Sequence, residues 1–391
     1  MSLERPPLWY PTRTCESPVS AEGPQMLSVT SLRSMDKASV KTGDVLQSDT
    51  TSYQLTGFNG EGTFGRVANC VDLNTGEVVA VKIFKTNDND VIQSEMAMLE
   101  KVRALDPDQN NIVKFIENFT FHKLPCVVFE MLDRSLWNLM EEREWTELSL
   151  NEIRPVTQQL LVACEALKNI GIIYMDMKPD NIMFVNHKDQ PFKIKLIDFG
   201  LALPVSQGEV GEGIQTFAYG APEVILGLPF SEAVDMWGVG CIMAFMYFGM
   251  HLFPLDCPYD WMKTLDEGWR LRTSEEYKEV TAFLDLLKCC LNTNAEQRIC
   301  PREALYHRFM KMAHLVDGIE TNSYTDMAHK FMNVSSMYYL DESEDVSYLE
   351  NSCAEDFKIR GVVDSETKNF KPSSINSLVW FLKCWTGVFG T

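Results

Sequence analysis

Gly60-Glu61-Gly62-Thr63-Phe64-Gly65-Arg66-Val67, followed by Val78-Val79-Ala80-Val81-Lys82, is the part of the chain from which its architecture can be worked out. Glycines in a G-x-G-x-x-G run let the backbone approach phosphate oxygens and present N–H donors with no Cβ in the way. Dinucleotide-binding folds use the same run, but there it joins a strand to a helix, with an acidic residue about 20 positions on. Here strand-like sequence stands on both sides, so the dinucleotide reading fails. Val79-Ala80-Val81-Lys82 then puts a lysine on a buried strand. A buried ammonium needs a partner. The best-placed carboxylate is Glu95, in the helical stretch Val91 to Arg103, set off its apolar stripe of Ile92, Met96, Met98, Leu99 and Val102.

Further along, Cys126-Val127-Val128-Phe129 is another short apolar run bounded by polar turns, as a buried strand is. After Asp133 the pattern becomes helical. Ser149-Leu150-Asn151-Glu152 is a capping box opening a face of Val156, Leu160, Leu161, Cys164 and Leu167, and a second long helix spans about Glu232 to Phe248. A strand-rich part followed by a helix-rich part is an α+β order with a cleft at the join. The helix-rich part carries Asp176-Met177-Lys178-Pro179-Asp180-Asn181, Asp198-Phe199-Gly200 after a strand (Lys193 to Ile197), and Ala221-Pro222-Glu223 after a loop. Phosphoryl transfer needs metal ions on the phosphates, positive charge on the α and β groups, and a carboxylate to orient the hydroxyl. Alone, Lys82 reads as a surface lysine, Asp198 as a turn cap and Asp176 as a loop aspartate. In this order and on these elements, the set points to one chemistry.

From about Tyr53 to Phe309 the chain resembles the eukaryotic protein kinases. Within them it is similar to the homeodomain-interacting protein kinases, of the CMGC group that also holds the dual-specificity tyrosine-regulated kinases. Val128-Phe129-Glu130-Met131-Leu132 looks like their hinge. Pro222 to Phe230, followed by Asp235-Met236-Trp237, looks like their segment after the activation loop, and Met312 to Asp317 like the end of their catalytic domain. The resemblance implies a bilobal α+β kinase fold over 53–312. Its N-lobe (53–131) would be a five-stranded antiparallel sheet plus one helix, and its C-lobe (132–312) mainly helical. It implies ATP and Mg²⁺ as cofactors, and protein serine or threonine as acceptor, since Lys178 stands two places after Asp176. Lys82 would hold the α and β phosphates and Glu95 would hold Lys82. Asp176 would be the catalytic base, and Lys178 would steady the transferred phosphate. Asn181 and Asp198 would hold the metal ions. Asn59, Gly60, Glu61, Gly62, Thr63, Phe64, Gly65 and Val67 would line the nucleotide. Ala80, Glu130 and Leu132 would frame the adenine, with Met183 beneath it and Phe129 as gatekeeper. Asp235 would brace the catalytic loop, and Glu223 would pair with Arg298.

The departures are specific. Met175 stands where many kinases carry an arginine that grips a phosphorylated activation loop, and Gly213 where the relatives carry the autophosphorylated tyrosine. Glu209 and Glu212 nearby read as two exposed acids. Activity independent of loop tyrosine phosphorylation is therefore expected. Gly220 replaces an arginine that shapes the relatives' preference for proline after the target residue, which removes one support for that preference. Pro254 to Val280 is shorter than the relatives' insert. The alternative to an active enzyme is a catalytically weak scaffold that competes with related kinases for partners. Activity is favoured because Lys82, Glu95, Asp176, Lys178, Asn181 and Asp198 are all present.

Composition limits the partners. The net charge of −20, from 55 acidic against 35 basic residues with no basic run, disfavours direct nucleic-acid binding. Eleven cysteines without a C-x-x-C pair fit reduced thiols in cytosol or nucleus. Met1 to Gln25 has no apolar stretch of a signal peptide, and Met236 to Met250 is too short to span a membrane. Residues 1–52 read as a mobile leader. Residues 313–391 read as an acidic tail (Asp341 to Asp345) ending in an apolar segment, Leu378 to Trp385, that packs back on the domain rather than forming a partner- or membrane-surface helix. The expected partners are protein substrates and transcriptional regulators, for a monomer in nucleus or cytoplasm.

Overall fold

In the computed structural model, which describes residues 40–61, 65–85, 89–208, 215–253, 274–312 and 323–333, the β-branched runs of the first third form one antiparallel sheet. Its strands are β1 (Val45–Gln47), β2 (Ser52–Glu61), β3 (Gly65–Asp72), β4 (Val78–Phe84), β5 (Phe115–Phe121) and β6 (Leu124–Glu130), in the order β1-β2-β3-β4-β6-β5. Alternation along the pleat assigns the faces: Ala68 and Cys70, and Val79, Val81 and Ile83, are buried. One helix, α1 (Asn89–Val102), connects β4 to β5 and buries Ile92, Met98, Leu99 and Val102. Glu95 does not stand off this face as expected. It is 2% exposed, on the buried side with Ile92 and Leu99, because an ammonium meets it there.

The five expected strands are joined by a sixth, β1. Val45–Gln47 pairs with Ser52–Gln54, and Leu46 is fully buried. Ser48 Oγ and Tyr53 Oη both donate to Glu117 Oε1, at 2.8 and 2.6 Å, tying this edge to β5. The sheet thus begins inside the stretch read as a leader. A single buried residue between exposed neighbours suffices for an edge strand, yet gives no visible period. Residues 1–39 lie outside the described residues.

The second lobe is mainly helical. It contains α2 (Leu136–Glu142), α3 (Leu150–Asn169), the short strands β7 (Ile172–Ile173), β8 (Ile182–Phe184), β9 (Ile194–Leu196) and β10 (Leu203–Pro204), and then α4 (Pro222–Ile225), α5 (Ala233–Phe248), α6 (Ser274–Cys290), α7 (Pro301–Tyr306), α8 (Arg308–Lys311) and α9 (Ser323–Met332). The capping box opens α3 as expected: Ser149 N–H donates to Glu152 Oε2 at 2.7 Å. The apolar run around residue 240 is the core helix α5, buried from Val234 to Met246. Gly238 lets α5 close on the loop after β7, since a Cβ there would lie 2.5 Å from Met177 Cβ. No helix among the described residues is long and apolar enough to cross a membrane.

Two polar anchors organise this lobe. Between α3 and α6, Nη2 of the fully buried Arg154 donates to both carboxylate oxygens of the fully buried Glu279 at 2.6 Å, and Arg154 Nε donates to Phe309 O at 2.9 Å. Arg298 forks onto Glu223 at 2.7 and 2.9 Å, fastening α4 to the segment before α7. Beyond residue 312, α9 still packs on α3: Asn151 Nδ2 donates to Tyr324 O at 3.3 Å, and the Phe331 and Phe192 rings meet at 5.3 Å. The acidic run 341–345 and the apolar segment 378–385 lie outside the described residues.

Candidate active site

β4 carries Lys82 beside Val67 of β3 and Val127 of β6, so its stem rises from the centre of the sheet. Its Nζ lies 2.6 Å from Glu95 Oε1 on α1 and 3.0 Å from Asp198 Oδ1, just after β9. Burial alone would lower the Lys82 ammonium, but the Asp198 and Glu95 carboxylates outweigh it and hold the group above its ordinary value. For Asp198 burial pushes upward, and the Lys82 charge more than offsets that, leaving the carboxyl below its ordinary range. Glu95 is pushed up by burial, only partly countered by Lys82. Asp198 has left-handed backbone, φ 58°, and Gly200 N–H donates back to its Oδ1 at 3.3 Å. A Cβ on Gly200 would come within 3.3 Å of side-chain oxygens of both Asp198 and Glu95, so a larger residue there would have to shift these carboxylates by a few tenths of an ångström.

A second cluster forms in the loop between β7 and β8. The Asp176 carboxylate accepts three side-chain donors: Lys178 Nζ at 2.6 Å and Asn181 Nδ2 at 2.7 Å on Oδ2, and Thr216 Oγ1 at 3.0 Å on Oδ1. Asn181 Nδ2 also reaches Asp176 O at 3.0 Å. The loop is braced from below, where Tyr174 N–H and Met175 N–H donate to the two oxygens of Asp235 at 2.8 and 2.9 Å. Burial raises the Asp235 carboxyl and these two donors pull it back, leaving it at about 6. Met175 itself is buried, with φ 70°, a conformation that costs about 1–2 kcal/mol for an L-residue and needs such bracing. The two clusters adjoin: Ile197 N–H donates to Asn181 O at 2.9 Å, and Tyr174 Oη donates to Ile197 O.

Around these groups lie the remaining expected residues. Asn59, Gly60 and Glu61 end β2, and Gly65 and Val67 begin β3; Gly62, Thr63 and Phe64 lie outside the described residues. Gly65 backs closely on β4, where a Cβ would meet Ile83 O at 2.6 Å. Ala80 is in register with Phe129, Leu132 is buried, and Met183 is half-buried on β8. The Glu130 carboxylate is engaged by Lys195 Nζ at 2.7 Å and Lys114 N–H at 2.6 Å, which leaves the cleft its backbone. Two residues of the site carried no sequence signal: Thr216 and, beside it, Gln215. Gly213, Glu209 and Glu212 lie outside the described residues. Tyr219 is buried, its hydroxyl 2.7 Å from His251 Nδ1.

The protein kinase domain family matches residues 53–310. Homeodomain-interacting protein kinase 1 of Mus musculus is 32% identical over 345 residues, covering 70% of this chain and 28% of that protein. Homeodomain-interacting protein kinase 4 of Homo sapiens is 30% identical over 369 residues, covering 74% of this chain and 60% of that protein. Its Mus musculus counterpart is 40% identical over 226 residues, covering 57% of this chain and 37% of that protein. The chain thus spans less than a third of the length of the first of these relatives. With a lysine–glutamate–aspartate group adjoining a braced loop, and with this match over most of its length, the chain belongs to the protein kinase family and is similar within it to the homeodomain-interacting protein kinases.

Proposed function

We propose that the chain is a protein serine/threonine kinase that moves the γ-phosphoryl group of ATP to a side-chain hydroxyl. The observation that carries the reading is the Asp176 carboxylate, held by Lys178, Asn181 and Thr216 beside the Lys82–Glu95–Asp198 group. Lys82, kept charged and aimed by Glu95, pairs the α and β phosphates. Asp176 orients the acceptor hydroxyl and takes its proton as oxygen bonds to the γ-phosphorus and the bridge to ADP breaks. Lys178 offsets charge on the group in transit. Asp198 and Asn181 offer a carboxylate and an amide oxygen, the donor type a hard divalent cation takes, and the Asp198 side chain is 36% exposed. Mg²⁺ held there would neutralise phosphate charge. The backbone of the hinge residues Glu130 and Leu132, with Ala80, Val67, Phe129 and Met183 around them, supplies the base pocket.

Thr216 and Lys178 on either side of Asp176 support an aliphatic hydroxyl as acceptor. The relatives' names carry homeodomain interaction, which supports transcriptional regulators as the partner class. Phosphoamino-acid analysis of a general protein substrate after reaction with labelled MgATP tests the reading. Phosphoserine and phosphothreonine are expected, and label confined to phosphotyrosine would overturn the assigned acceptor.

A further inference from the structure

Gln215 lies in no motif, yet its side chain spans two backbone groups of different elements. Nε2 donates to Met175 O at 3.1 Å, and Oε1 accepts from Ala221 N–H at 2.9 Å. Met175 directly precedes Asp176 and has left-handed backbone; Ala221 is the fully buried residue at which α4 begins. A primary amide carries donors and an acceptor in one plane, which is what one carbonyl and one N–H require. The next residue, Thr216, donates to Asp176 itself, and four positions on Tyr219 is fixed to His251. These anchors are neutral side chains. Among the described residues, Lys178 is committed to Asp176, and Arg298 to Glu223, Asn292 O and Ala233 O. A segment of this kind can be held in place without a phosphate and without a cationic seat for one.

We infer that Gln215 is a positioning residue for phosphoryl transfer, a phosphate-independent latch that fixes residues 215–221 against the loop of Asp176. The inference rests on the kinase reading and deepens it. Gln215 touches no reacting atom; it acts by fixing the Met175 carbonyl, and through it Asp176, and by fixing the chain that leads into α4. Its loss therefore acts on turnover and on the protein acceptor. Gln215 bonds to no member of the Lys82–Glu95–Asp198 group, so MgATP affinity should change little.

Two substitutions separate the latch's halves. Gln215→Glu keeps the shape and the acceptor for Ala221 N–H but sets an oxygen against Met175 O; Gln215→Ala removes both bonds. The full chain is first treated with phosphatase and shown by mass to be phosphate-free. Wild type is then expected to keep its activity. Both variants should lose about tenfold or more in kcat/KM for the protein acceptor, the scale set by misplacing a reacting group, with KM for MgATP within about twofold. Amide exchange supplies a readout that does not need activity: the Ala221 N–H should be protected in wild type and Gln215→Glu, and should exchange about tenfold faster or more in Gln215→Ala. Acceptor kinetics within about twofold of wild type in both variants would overturn the inference, as would a parallel loss of MgATP affinity and thermal midpoint, or activity that vanishes with phosphatase. If wild type transfers no phosphate, the kinase reading falls, and the exchange pattern alone decides the latch: an unprotected Ala221 amide in wild type removes it.

Discussion

Replacing Asp235 by asparagine isolates the brace beneath the candidate catalytic loop. Asp235 is 3% exposed on α5, and each carboxylate oxygen accepts one N–H, from Tyr174 and from Met175. An asparagine accepts one of them and turns its NH₂ toward the other. Its neutral amide imitates the protonated acid. With the carboxyl at about 6 against an ordinary 3.8, folding disfavours the ionised form by about 3 kcal/mol, so on this score the neutral amide gains. The opposed donor works against this gain, since an unmet buried N–H costs about 1–3 kcal/mol, so Asp235→Asn should change stability by no more than about 2 kcal/mol. Turnover should fall by about tenfold to a hundredfold, because Met175 is held in an unfavourable conformation next to Asp176 and relaxes when released.

The pH dependence separates this account from general damage. A carboxyl raised in the fold above its ordinary 3.8 makes its ionised form a cost to stability. That cost is absent below about 3.8, grows between about 3.8 and about 6, and is complete above. Acidification from about pH 7 to about pH 5 should therefore stabilise wild type relative to Asp235→Asn while lowering its activity toward that of the variant. Phosphate-transfer rates and denaturant midpoints of both proteins over this range make the test. A constant activity ratio between them, or a variant with wild-type turnover at neutral pH, would refute the reasoning.

Glu279→Gln, which leaves Arg154 charged and fully buried without its counter-ion, should cost about 3–5 kcal/mol by denaturant titration, and Arg154→Met with Glu279→Leu should recover most of it. Asp198→Asn should abolish the gain in ATP affinity that Mg²⁺ brings to wild type, read by calorimetric titration with and without the metal; an equal gain in both proteins would exclude Asp198 as a metal ligand.

Much of this was legible in the chain itself, for different reasons. Lys82, Asp176, Asn181 and Asp198 announce themselves because phosphoryl-transfer chemistry tolerates few residue types at such spacing, and Ser149-x-x-Glu152 because a cap is a local event. The burial of Glu95 was not legible: an ion pair across 13 positions can seat a carboxylate on an apolar face that hydropathy alone leaves to nonpolar residues. Nor was β1, where Leu46 alone carries the edge strand. Gln215 and Thr216 left no trace because their partners, Met175, Ala221 and Asp176, come together only when the chain after β10 folds back over the loop before β8. The engagement of Glu130 by Lys195 is hidden for the same reason: the residues are 65 apart and meet behind the hinge.

The central claim is that Asp176 is the base of a working phosphotransferase. The direct test is phosphate transfer from labelled MgATP to a serine/threonine substrate by wild type and Asp176→Asn, purified side by side, with MgATP binding measured on both. Transfer by wild type, reduced about a hundredfold or more in the variant while MgATP binding is retained, is the predicted result. Equal transfer by both proteins, or MgATP binding without transfer by either, would contradict it.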